Sequence, residues 1–174
     1  MTRPVDEMVE ALEKQGRVVS PGRFTVDGQV AREKLQRFQL EEPWGWPLEV
    51  VRAAVIQGAT RVAAEVDRRR LRLRFDGRPF TRAQLGQLYD ALFAPPDDEA
   101  GAAQRQLAVG LNALEGLAPE RYEVRSGDGE QGVGLTWRPD EGISVERLEG
   151  GAPDGTEIDV RYGRRGDDGP EGHA

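Results

Sequence analysis

Four short stretches of this sequence hold residue types that could do chemistry. Glu49 lies near the start of Glu49-Val-Val-Arg-Ala-Ala-Val-Ile-Gln-Gly58, a stretch of helical character. A carboxylate there can act as a general base on water, or can simply favour the positive end of a helix dipole. Asp76-Gly77-Arg78 closes an alternating run, and such a pair serves either as a ligand loop or as a strand-ending turn. Gly110, within Leu107-Ala-Val-Gly-Leu-Asn-Ala-Leu114, either lets backbone approach a phosphate or lets two helices pack closely. Gly155-Thr156 stands where a turn gives way to a strand. Other chemistry is absent: there is no cysteine, and the one histidine is His173, next to last. Thiolate zinc sites, thiol nucleophiles and a Ser-His-Asp arrangement are therefore excluded.

The elements that must position these residues are readable from periodicity. Asp27 caps an expected helix over Gln29–Gln39, with Val30, Leu35 and Phe38 on one face. Pro47 suits the first turn of a helix running through Leu48, Val51, Ala54 and Val55 to a stop at Gly58. Thr81 and Gln84 form a capping box ahead of Leu85, Leu88, Tyr89 and Leu92. A further helix spans about Gln104–Leu117, with Asp97, Asp98 and Glu99 read as a polar loop before it. Strands are expected at Arg23–Val26, Thr60–Val66, Leu71–Phe75, Arg121–Ser126, Gly132–Arg138, Ile143–Leu148 and Thr156–Tyr162. Helices come mainly first and a β-meander follows. The expected class is α+β: a two-layer sandwich with a mostly antiparallel mixed sheet and helices on one face. Residues 1–22 read as an N-terminal helical or docking segment, 23–162 as the sandwich, and 163–174 as a disordered tail without apolar residues.

Length and charge bound the function classes. The 174 residues suffice for one domain with a substantial core, and the formal charge is −7. No apolar run approaches a membrane span, and Met1–Glu13 lacks a hydrophobic secretion segment, so a cytoplasmic protein is expected. Arginine is nearly all of the basic complement, which with the high Ala and Gly content reads as a GC-rich bacterial coding sequence. Thr60–Arg82 holds eight Arg against three acids, whereas Ala83–Val160 holds five Arg against sixteen acids. Arg70, Arg72 and Arg74 alternate with Leu71, Leu73 and Phe75, and Glu157 and Asp159 alternate with Ile158 and Val160. A solvated sheet face with compensating charges is favoured over a nucleic-acid surface, which would also want interleaved aromatics. Trp44 and Trp46 flank Gly45 at a helix entrance, where they either pack or form a partner-binding surface.

The order and spacing of the four stretches resemble the GHKL superfamily, the nucleotide domain shared by DNA gyrase, the ninety-kilodalton heat-shock chaperone, sensor histidine kinases and MutL. The resemblance covers Phe24–Tyr162 and implies the Bergerat-type sandwich. It places Glu49 as the general base, Asp76 and Gly77 in the adenine-reading loop, Gly110 at the phosphates and Thr156 after the late glycine. With no lysine beyond Lys34, Arg105 would supply the lid's charge. The sequence departs from the family pattern at decisive points. Ala53 replaces the Asn that would hold magnesium, Phe75 aligns with the adenine-reading Asp, Pro79 replaces a glycine, and Ala108 replaces the first lid glycine. These departures imply a degenerate domain that binds a protein partner or a second copy of itself, with no cofactor and no metal ligands. The alternative is a divergent ATP-binding protein with weak magnesium-dependent hydrolysis, using Glu49 as base and Asp76 at the adenine.

Overall fold

A computed structural model of the chain describes residues 31, 32, 34, 42–93 and 95–163. The expected strand at Arg23–Val26, the segment 1–22 and the tail from 164 onward lie outside the described residues, as does the helix over Gln29–Gln39 apart from helical Ala31, Arg32 and Lys34. A 3-10 turn at Pro43–Gly45 leads into α1, Trp46–Ile56. Then come β1 (Val62–Val66), β2 (Arg70–Phe75), α2 (Arg82–Gly86), a 3-10 segment at Leu88–Leu92, and α3 (Glu99–Glu115). Four strands complete the domain: β3 (Arg121–Asp128), β4 (Gln131–Arg138), β5 (Gly142–Glu149) and β6 (Asp154–Arg161).

The sheet has six strands in the order β1-β2-β6-β3-β4-β5, with every neighbouring pair antiparallel. The architecture is therefore α+β with an antiparallel sheet, as expected. The last strand slots between β2 and β3, returning antiparallel to both, so no parallel crossover is needed. Its apolar residues Ile158 and Val160 face the helices and are fully buried beside Leu73, Val124 and Tyr122. The opposite face holds the arginine row. Arg72 meets Asp159 at 3.2 Å and Glu65 at 3.5 Å; Arg74 meets Glu157 at 2.6 Å and Glu65 at 3.3 Å; Arg70 pairs with Asp159. Period-2 alternation thus sorts charge from core, as expected, and each of these guanidiniums already holds a carboxylate.

Two helix expectations change. The capping box at Thr81 and Gln84 forms in full, but the helix it starts ends at Gly86 and continues only as the 3-10 segment. A glycine in the interior is a weak helix former, and the Gln104 amide of α3 takes the freed carbonyls of Gln84 at 3.0 Å and Gln87 at 2.9 Å. Helix α3 begins earlier than expected, because the supposed loop residues are its start signal. Asp98 is its N-cap, accepting from the Gly101 amide at 2.7 Å, and Glu99 occupies its first turn. The core lies between α1, α3 and the sheet, around Trp46, Leu107, Leu111, Leu114 and Leu135.

Candidate functional site

Asp76 sits just past β2, where the chain must turn beneath the end of α1. Its Oδ1 accepts from the backbone amides of Thr60 at 2.7 Å and Arg61 at 2.9 Å, and its Oδ2 accepts from the Thr60 hydroxyl at 2.7 Å. These bonds, the Thr60 hydroxyl foremost, hold its carboxyl below the ordinary aspartate value. Gly77 follows with φ +105°, and a Cβ there would lie 2.9 Å from both the Ala59 nitrogen and the Gln57 oxygen. The Arg78 amide donates to that same Gln57 carbonyl at 2.9 Å. The loop is thus clasped to the residues leaving α1. Thr60 is a participant that sequence reasoning missed; the signal was its hydroxyl two residues beyond Gly58.

The bonds to Asp76 fix a pH dependence with a definite sign. A carboxyl held below its unfolded value of 3.8 contributes stability that is present above that pH. The contribution is lost as pH falls through the lower folded value. Acid unfolding followed by circular dichroism should therefore become shallower in Asp76→Asn, whereas Thr60→Ala should move the Asp76 titration, read by carbon-13 NMR, back toward 3.8. An unchanged acid limb in Asp76→Asn would contradict this assignment.

Thr156 opposes Phe75 on β2 and Ser126 on β3. Its buried hydroxyl lies 2.7 Å from the Ser126 hydroxyl, which accepts from the Phe80 amide at 2.8 Å. Asp76 and Thr156 line one open cleft of about 280 Å³ together with Arg61, Arg74, Asp154 and Glu157. The structure brings these two sequence-predicted residues together.

The other candidates stand apart from that cleft. Glu49, in the first turn of α1, is buried and accepts from Arg52 Nη1 at 2.5 Å. Gly110 is deep within α3, and a Cβ on it would lie 3.0 Å from the Trp46 carbonyl oxygen and 3.2 Å from Glu49 Cβ. It therefore permits close packing of α3 on α1. Arg105 is half-buried on α3 and forms no ion pair among the described residues. Neither Glu49, Arg105 nor Gly110 lines the cleft of Asp76 and Thr156. Phe75 and Ala53 are buried in the common core. Among the described residues no three His, Cys, Asp or Glu side chains gather as metal ligands. The tryptophan pair divides: Trp46 is 1% exposed in the core, whereas Trp44 is 69% exposed.

No family model matches the sequence, and no curated protein does. Among solved structures, the chain is similar to the Aquifex aeolicus MutL ATPase domain complexed with ADP, at 18% identity and a TM-score of 0.46. The match covers 70% of this chain and 42% of that one, so the chain spans less than half the length of its structural neighbour. No helix among the described residues is long and apolar enough to cross a membrane.

Proposed function

We propose that this chain is a GHKL-like domain whose nucleotide site has been closed by its own core, and that it works by binding protein. The observation that carries the reading is the position of Gly110. A phosphate-binding glycine needs free amides at a helix start. Here α3 starts at Glu99, well ahead of Gly110, and the glycine faces the Trp46 carbonyl. Ala53 offers no oxygen to a metal, and Phe75 offers a ring where an adenine amino group would need an acceptor. Magnesium and ATP therefore have few ligands on this chain, and fold alone does not carry an activity. Trp44, Leu48 and Val55 supply the contrary feature, an exposed apolar side. Leu48 and Val55 are seven apart on α1 and so share a face, with Trp44 four residues before Leu48. Large exposed apolar side chains in one strip favour a protein partner or a second copy.

A second reading rests on the shared cleft of Asp76 and Thr156: slow, divergent ATP binding with Asp76 at the adenine and Glu49 as base. Both Asp76 oxygens are already engaged by Thr60 and Arg61, which leaves little acceptor capacity. Calorimetric titration of ATP with magnesium into the millimolar range separates the readings. No saturable heat is expected. Saturable binding that disappears in Asp76→Ala would overturn the closed-site reading and establish the second.

A further inference from the structure

Strand β1 is an edge of the sheet, and among the described residues no strand lies on its outer side. Every one of its residues is exposed. The hydrogen bonds at its two ends fix where its backbone points. The Arg61 carbonyl accepts from the Asp76 amide at 3.4 Å, and the Asp67 amide donates to the Arg70 carbonyl at 2.8 Å. In an antiparallel ladder this direction alternates residue by residue, so Arg61, Ala63, Glu65 and Asp67 face β2. The amides and carbonyls of Val62, Ala64 and Val66 therefore face outward. The side chains of these three lie opposite Phe75, Leu73 and Leu71, and they carry that apolar face past the core, Val66 being 75% exposed.

Exposed edges are usually blunted by charge, proline or a bulge. The opposite edge, β5, follows that rule: Arg147 stands on the face of buried Val133, and Glu146 and Glu149 flank it. Strand β1 carries one charge, Glu65, and it belongs to the other face, where Arg72 and Arg74 hold it at 3.5 and 3.3 Å. Outward amides beside a valine strip are a template for another strand.

We propose that β1 pairs antiparallel with β1 of a second copy, about a two-fold axis at Ala64, joining two sheets into one. The inference rests on the protein-binding reading and narrows the partner to this chain. The strand is self-complementary in that register. Ala64 exchanges bonds with Ala64 of the second copy, and Val62 exchanges them with Val66, so every outward amide and carbonyl of β1 is used. On the other face Ala63 meets Glu65, and Arg61 meets Asp67 of the second copy, an opposite-charge pair formed twice. Neighbouring registers are poorer. Centring on Glu65 opposes Glu65 to itself. Centring on Ala63 sets Val66 against Thr60, whose amide already serves Asp76 at 2.7 Å.

The test is sedimentation of the full chain from about 10 µM to about 1 mM, the range suited to an interface this small. A monomer–dimer equilibrium is expected. Ala64→Pro removes an outward donor, a change that edge strands tolerate, and should weaken the dimer roughly tenfold or more. A second measurement needs no disruptive change. The chain has no cysteine, so Ala64→Cys introduces one thiol, placed about 5.5 Å in Cα separation from its symmetry mate and within disulfide reach. Mild oxidation should cross-link A64C to itself. V62C or V66C alone should cross-link poorly, being more than about 13 Å from its own mate, whereas a mixture of the two should cross-link well. A chain monomeric throughout, amides of β1 protected from exchange irrespective of concentration, or equal cross-linking at all three positions would each overturn the proposal. A dimer that survives in A64P but dissolves in Trp44→Ser would overturn it too, while leaving the protein-binding reading in place.

Discussion

Gly155→Ala should destabilise the domain by about 4 kcal/mol, combining left-handed backbone strain of about 1–2 kcal/mol with overpacking. Gly155 has φ +106°, a conformation that a side chain resists. A Cβ there would also lie 2.2 Å from the Phe75 carbonyl oxygen and 2.9 Å from Asp76 Cα, both backbone atoms that no rotamer change can move. The clash falls where β6 enters the sheet beside β2, so relief requires one of these two interior strands to shift. Displacement would also disturb Thr156 and the Asp76 loop. Urea denaturation gives the free energy directly, and a loss under about 1 kcal/mol would show that the junction yields easily. Gly110→Ala provides the contrast. It gains roughly 1 kcal/mol of helix propensity against contacts of 3.0–3.4 Å, one of them with a Val50 methyl, so its effect should be far smaller.

That contrast also explains what could be read in advance and what could not. The alternation from Arg70 to Phe75 is enough to place β2 and to separate its charged face from its core face, because strand periodicity is local. The partner of that strand is not local: β6 is supplied by the far end of the chain, and only the register reveals that Arg72 opposes Asp159. The capping box at Thr81 is likewise written in four residues, but the break after Gly86 depends on Gln104 reaching across from α3. The candidate site shows the same limit. Whether Gly110 faces a ligand or a helix depends on where α3 begins, and the residues that decide it, Asp98 and Glu99, suit a loop or a cap equally well. Asp76 could be recognised as a turn-forming acid, but Thr60 could be matched to it only once β1 and β2 had paired and brought the two ends of the hairpin together.

Glu115→Ala should cost about 4 kcal/mol, because it removes the common acceptor of a buried polar cluster. Glu115 Oε1 accepts from the Tyr89 hydroxyl at 2.5 Å and from the Tyr122 hydroxyl at 2.7 Å, while Oε2 pairs with Arg32. Only 6% of its side chain is exposed. Without it, the two hydroxyls retain each other at 2.6 Å, and Arg32 retains Asn112 at 3.2 Å and the face of Tyr89 at 3.5 Å. A guanidinium would then sit partly buried without its counter-charge. Glu115→Gln keeps an acceptor and should cost about half as much, roughly 2 kcal/mol, which separates charge from hydrogen bonding in denaturant titrations. The cluster also sets an alkaline limit. Burial, with the neighbouring Glu115 charge for Tyr89 and the neighbouring phenol for Tyr122, raises both tyrosines well above 10.0. Their folded forms therefore keep protons that the unfolded chain releases, and the contribution is fully present below 10.0 and lost as pH climbs beyond it. Tyr89→Phe should flatten this alkaline limb without touching the acid limb set by Asp76. Because Arg32 belongs to the described helical residues before α1, the same cluster fastens that segment to the last turn of α3. Tryptic cleavage after Arg32 and Lys34 should therefore quicken in Glu115→Ala at denaturant concentrations where the sheet remains folded.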